Sequence, residues 1–161
     1  MRTTAVYAGT FDPITLGHLD LIERSSDIFE KVVLAVAEST PKSTLFSTEE
    51  RLAMAREVTQ QFDNVEVDTF NDLLVTYARR KNAGILIRGL RAYSDFEYEF
   101  QMALTNRKLA PQIETLFMMP KEIHSYVSSS TVREVAQLGG DTSEFVPPSV
   151  QQHLTKKVTQ T

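Results

Sequence analysis

Two stretches of the chain are apolar without alternation, VVLAVA at residues 32–37 and GILIRG at residues 84–89. A strand with one face in water alternates apolar and polar residues, whereas a continuous apolar run buries both faces, as parallel strands covered by helices do. With three further short runs, the predicted strands are Thr4–Ala8, Val32–Ala37, Val65–Phe70, Ile85–Arg88 and Thr115–Met119. Helical spacing predicts helices over Gly17–Phe29, Thr48–Gln61, Asp72–Asn82, Ser94–Leu109, Ser130–Leu138 and Pro148–Lys157. Ser47 followed by Glu50 reads as a capping box for the second helix, and Asn82-Ala83-Gly84 as the stop of the third. The alternation of strands and helices predicts an α/β fold: one domain over residues 1–161, a five-stranded parallel sheet with helices on both faces. A polar tail at about residues 156–161 closes it.

Composition narrows the chemistry. The chain has no Cys, which removes disulfides, thiolate metal sites and Cys nucleophiles together. Its 17 Lys and Arg against 21 Asp and Glu leave a net charge of −4, and there is no basic–aromatic stripe, so nucleic acid is not an expected partner. No apolar run reaches membrane-helix length and the first residues carry no signal-peptide pattern, so the expected location is the cytoplasm.

Open parallel sheets bind ligands beyond the C-terminal ends of their strands, which directs attention to the residues that follow each one. After the first strand comes Gly9-Thr10-Phe11-Asp12-Pro13-Ile14-Thr15-Leu16-Gly17-His18. Gly9 would let backbone approach a ligand, Thr10 offers a hydroxyl, and Gly17 and His18 open a helix whose free N–H groups favour anions. A His there can donate to a phosphate and change charge near neutrality. The spacing matches neither the Rossmann nor the P-loop glycine pattern, and the segment alone fits a helix-entry loop equally well. Lys42 follows the second strand and alone reads as a solvated loop lysine. Arg88-Gly89-Leu90-Arg91 ends the fourth strand with two guanidinium groups shaped for phosphate oxygens, or for an exposed ion-pair loop. After the fifth strand, Ser128, Ser129 and Ser130 open a helix with hydroxyls and backbone donors, a polyphosphate site or an over-supplied cap.

The fourth helix carries two apolar stripes. Phe96, Phe100, Ala103 and Leu104 form one, expected to pack on the sheet; Tyr98, Met102 and Leu109 form another, expected to face a neighbouring subunit. Glu99 borders the first stripe. Arg79, Arg80 and Lys81 read as dipole-complementing cations in a last helical turn, and His153 as a surface residue without a partner.

GTFDPITLGH closely resembles the GTFDP-x-T-x-GH signature of the nucleotidylyltransferase superfamily, and Thr15 in place of a first His resembles its bacterial phosphopantetheine adenylyltransferase branch. TPKST, EERLAMA, DLLVTYAR, LIRGLRAYSDFEYEFQMALTNR and YVSSSTVREVA extend the resemblance from about residue 5 to residue 155. One departure is Ala8, where the family usually has Pro. The resemblance implies a nucleotidylyltransferase variant of the Rossmann-like fold and transfer of AMP from ATP to 4′-phosphopantetheine, giving dephospho-coenzyme A and pyrophosphate. It implies a Mg²⁺-dependent cytoplasmic hexamer, with Mg²⁺ held by ATP phosphates and water, and coenzyme A as feedback ligand. By the same resemblance Thr10 and Phe11 meet both substrates and His18 stabilises the transition state at the α-phosphate. Lys42 and Arg88 hold the acceptor's phosphate and Leu74 contacts the pantetheine arm. Gly89, Leu90, Arg91, Glu99 and the run His124, Ser125, Tyr126, Val127, Ser128, Ser129 and Ser130 bind ATP. The catalytic set so implied is Thr10, His18, Lys42, Arg88 and Arg91, with no protein metal site.

Overall fold

The computed structural model describes residues 3–38, 40, 43–91 and 96–160. Five strands, β1 (Thr4–Gly9), β2 (Lys31–Ala37), β3 (Val65–Phe70), β4 (Ile85–Gly89) and β5 (Glu114–Met118), form one sheet in the order β3-β2-β1-β4-β5. All the pairings are parallel, with Tyr7 of β1 opposite Leu34 of β2 on one side and Ile87 of β4 on the other. The helices are α1 (Leu16–Ile28), α2 (Thr48–Thr59), α3 (Leu74–Arg80), α4 (Phe96–Leu109), α5 (Ser129–Gln137) and α6 (Pro148–Thr159). The predicted start of the fourth helix at Ser94 lies outside the described residues.

The unbroken apolar runs bury both faces of the sheet. Ala5, Tyr7, Val32, Leu34 and Ile87 pack one way with Leu21, Ile22, Met54, Val132, Val150 and Leu154, so α1, α2, α5 and α6 cover that face. Val6, Ala8, Val33, Ala35 and Leu86 pack the other way with Val75, Tyr77, Ala78, Ala110 and Ile113. Each fully buried Val or Leu contributes about 1.5–3 kcal/mol. Edge strand β3 is protected differently: Glu66 pairs with Lys31 and Lys81, and Asp68 with Lys81 and the Tyr77 hydroxyl. Charge on an exposed strand discourages pairing with another chain.

The capping box at Ser47 and Glu50 forms in both directions. Asn82, not Gly84, takes the left-handed position after α3, with φ 54°, and Ala83 N–H donates to the Ala78 carbonyl. Asn tolerates that conformation because its short side chain can bond locally. Three other expectations change. Lys81 forms an ion-pair network and Arg80 pairs with Asp72, so these cations are bound to carboxylates as well as to the helix end. His153 has a partner, Glu57 of α2, 3.0 Å away. In α4 only Glu99 is buried, so the stripe expected on the sheet is as open as the other: Phe96, Phe100 and Leu104 are about half exposed, and Tyr98 and Leu109 likewise. Phe96 stacks on Phe100 and tilts toward Phe117.

Strand order places the site. From β1 the sheet runs to β2 and β3 on one side and to β4 and β5 on the other, so β1 and β4 flank the point where the winding reverses. Their C-terminal ends splay the loops that follow and open a crevice there.

Candidate active site

A cavity of about 770 Å³ opens at the C-terminal ends of β1 and β4, within the size range of small-molecule sites. Thr10, Phe11, His18, Arg88, Gly89, Arg91, Glu99, His124, Val127, Ser128, Ser129 and Ser130 line it. A smaller cavity of about 300 Å³ adjoins it, sharing Thr10 and Arg88 and adding Leu74, Ala37 and Phe70. Leu90, Ser125 and Tyr126 line neither; Leu90 N–H donates to the Met118 carbonyl. Lys42 lies outside the described residues.

The loop after β1 is shaped by its own side chains. Phe11 has φ 51°, and its ring folds back over Gly9, where a Cβ would come within 3.1 Å of the ring. The Phe11 ring thus fills the space on one side of that glycine, which still lines both cavities. Asp12, buried and followed by a cis bond to Pro13, accepts the backbone N–H groups of Leu45 and Phe46, each at 2.9 Å. Arg133 of α5 donates to the Asp12 carbonyl at 2.6 Å, and Ser129 to the Pro13 carbonyl at 2.7 Å. These bonds tie the loop to the segment before α2 and to the start of α5. Ser128 is the cap of α5, accepting Thr131 N–H at 3.1 Å.

His18 is locked by the start of its own helix. Thr15 caps α1: its hydroxyl accepts His18 N–H at 3.3 Å, and its own N–H donates to His18 Nδ1 at 3.0 Å. A ring nitrogen that accepts a backbone N–H carries no proton, so the neutral imidazole keeps its hydrogen on Nε2. Burial, reinforced by the charges of Arg91 and Arg88, holds the His18 pKa down to about 4. The ring is thus a neutral donor at physiological pH and does not change charge near neutrality.

Arg88 is oriented as firmly. Glu99 of α4, 6 % exposed, accepts its Nε at 2.7 Å and its Nη2 at 2.6 Å, and Nη1 donates to the Ala8 carbonyl at 2.8 Å. A two-bond fork of this kind fixes the guanidinium plane. Both Glu99 oxygens face Arg88, and the Asp12 oxygens face backbone donors, with Arg133 3.5 Å from one of them. Among the described residues no three His, Asp or Glu cluster as a metal cage.

Sequence reasoning passed over Arg51. This α2 residue is 2 % exposed and donates to the carbonyls of Thr10 and Ala37 at 2.8 Å, to Phe46 at 3.3 Å and to the Thr48 hydroxyl at 3.0 Å. One buried fork thereby joins the ends of β1 and β2 to the start of α2. Its signal was present in EERLAMA, where Arg51 sits three and four residues before Met54 and Ala55, on the buried face of the helix. Asp12 and Arg133 were also missed as loop-fixing residues, because their partners lie 33 to 121 positions away.

The cavity at the ends of β1 and β4 gathers the oriented Arg88, Arg91, a neutral imidazole donor and the start of α5. Residues 6–135 match the cytidylyltransferase-like family model, which makes the chain a nucleotidyltransferase. The chain belongs to that family and, within it, to the phosphopantetheine adenylyltransferases. It is 57 % identical over 157 residues to the phosphopantetheine adenylyltransferase of Methylococcus capsulatus, covering 98 % of this chain and 97 % of the relative. Identity is 51 % to that of Alkaliphilus metalliredigens, over 94 % of this chain and 97 % of the relative. For that of Burkholderia cenocepacia it is 55 %, over 96 % and 94 %. A solved Vibrio parahaemolyticus structure, described as a "putative nicotinate-nucleotide adenylyltransferase", superposes with a TM-score of 0.70 over 96 % of this chain and 99 % of its own. At 17 % identity it shows the shared fold.

Proposed function

We propose that the chain transfers AMP from ATP to 4′-phosphopantetheine, releasing pyrophosphate and forming dephospho-coenzyme A. The observation that carries this reading is the meeting of Thr10, His18, Arg88 and Arg91 on one cavity, with Leu74 on the cavity that adjoins it. The acceptor is already an ionised phosphate, so the reaction needs no general base and no covalent intermediate. It needs alignment of two anions and donors aimed at the charge that develops. Thr10, Arg88 and Lys42 draw the acceptor phosphate into line, and Leu74 meets its pantetheine arm. His18 donates from Nε2 to the α-phosphate as the acceptor oxygen attacks. Phe11, Gly89, Arg91, Glu99, His124, Val127 and Ser128–Ser130 hold ATP, with Arg91 and the start of α5 on the departing pyrophosphate, while Leu90, Ser125 and Tyr126 shape the segments that carry them. Within that set Glu99 acts through Arg88, whose guanidinium it orients. Mg²⁺ would be held by the phosphate oxygens of ATP and by water, where its charge would offset theirs.

The test is pyrophosphate release with ATP, Mg²⁺ and 4′-phosphopantetheine, beside nicotinamide mononucleotide and no-acceptor controls. Release only with phosphopantetheine, with a product of dephospho-coenzyme A mass, supports the reading; release only with another acceptor overturns it. Arg88→Ala is expected to raise the KM for phosphopantetheine about 10- to 100-fold, the scale of one charge-assisted contact, and that for ATP much less. Equal weakening of both substrates would place Arg88 elsewhere.

The reading extends to assembly, setting and control. The half-exposed Phe96, Tyr98, Phe100, Leu104 and Leu109 support burial of α4 between copies in a hexamer. Light scattering is expected to give a multiple of the 18.2 kDa chain, and a monomer mass would refute the assembly. Among the described residues no helix is long and apolar enough to cross a membrane, which accords with a cytoplasmic enzyme. Coenzyme A, carrying the same pantetheine arm, is the proposed feedback ligand.

A further inference from the structure

Tyr7 of β1 belongs to no part of the mechanism above, yet it lines the cavity while only 4 % exposed. Its ring is fully used: it meets Phe11 edge-on, centroids 5.4 Å apart, and lies 6.4 Å from the His18 ring. Its hydroxyl is not. Among the described residues it makes no hydrogen bond, and the oxygen keeps accessible surface where Tyr7 lines the cavity. The hydroxyl lies beside Gly89, 3.8 Å from where a Cβ there would stand. Burial keeps the phenol protonated, raising its pKa against the opposing pull of Arg88 and Arg91.

The neighbours define what is missing. Arg88 and Arg91 can only donate, and His18 presents its Nε2 hydrogen. The nearby acceptor, Glu99, has both oxygens on Arg88. The absent partner is therefore an acceptor, and among donors and cations it is an anionic oxygen. We propose that the Tyr7 hydroxyl is a further substrate-contacting group, donating a hydrogen bond to a non-bridging oxygen of the nucleotide's α-phosphate beside His18. The assignment rests on the reaction proposed above.

Tyr7→Phe tests it, because Phe keeps the ring packing and removes a hydroxyl that none of the described residues bonds. The expected result is a 10- to 100-fold lower kcat/KM for pyrophosphate release, weaker ATP binding by calorimetry, and a Tm no lower than that of the unsubstituted protein. A kcat/KM within twofold of the unsubstituted protein overturns the proposal, as does a lower Tm with unchanged activity per folded molecule. If the unsubstituted protein itself releases no pyrophosphate with phosphopantetheine, the reaction reading fails separately. Calorimetry with ATP alone then decides: weaker binding by the variant supports the contact, and equal binding overturns it.

Discussion

His18→Ala is expected to lower kcat for pyrophosphate release by about 10²-fold or more while leaving both KM values little changed. The expectation follows from the state in which the fold holds the ring. Thr15 N–H occupies Nδ1, so the one hydrogen sits on Nε2 of a ring that lines the cavity. Such a preorganised donor acts most where charge grows, on the α-phosphate oxygens during attack, and little on ground-state ATP. ¹⁵N NMR at pH 7 is expected to report a bare Nδ1 and a protonated Nε2. Acid has a defined effect on stability. The unfolded imidazole takes its proton near pH 6.5 and the folded one only near 4, so the unfolded state binds more protons between those values. This group's contribution is complete above pH 6.5 and is lost as pH falls toward 4. A variant that kept kcat and only raised KM would contradict the assigned role.

Arg51→Met should cost about 3 kcal/mol of stability or more, read from urea unfolding, together with a fall in kcat/KM of the folded variant. Methionine keeps much of the apolar stem but leaves the carbonyls of Thr10, Ala37 and Phe46 without their donor. A buried acceptor stripped of its partner costs about 1–3 kcal/mol, and relief from burying a guanidinium offsets part of the sum. Activity should suffer because Thr10 loses the bond that fixes its backbone. Arg51→Lys is expected to fall between the two, since one ammonium cannot span the whole fork. A methionine variant as stable as the unsubstituted protein would show that the fork is dispensable.

The strands were legible because their signal is local. Unbroken apolar runs report burial on both faces, and all five appear within a residue or two of their expected bounds. The stop at Asn82-Ala83-Gly84 was legible, but not which residue turns left-handed, because both Asn and Gly can end a helix and the register of Ala83 on Ala78 selects Asn82. The α4 stripes were legible as apolar but not as to what they cover, since spacing defines a face and not its neighbour. Thr10, His18, Arg88 and Arg91 were legible because strand ends in a parallel sheet point the same way, so residues distant in sequence share one edge.

The sequence by itself determined the class of fold, the edge on which the chemistry collects and the phosphate-seeking character of the residues there, all properties of period, burial and side-chain type. Only the tertiary structure decided the state of those residues: the neutral His18 with hydrogen on Nε2, the Glu99 fork on Arg88, the Arg51 clamp and the place of Tyr7 on the cavity wall. A side chain's protonation and direction depend on the charges and acceptors within a few ångströms. Those neighbours come from β1, β4, α2, α4 and α5, which only the folded sheet brings to one place.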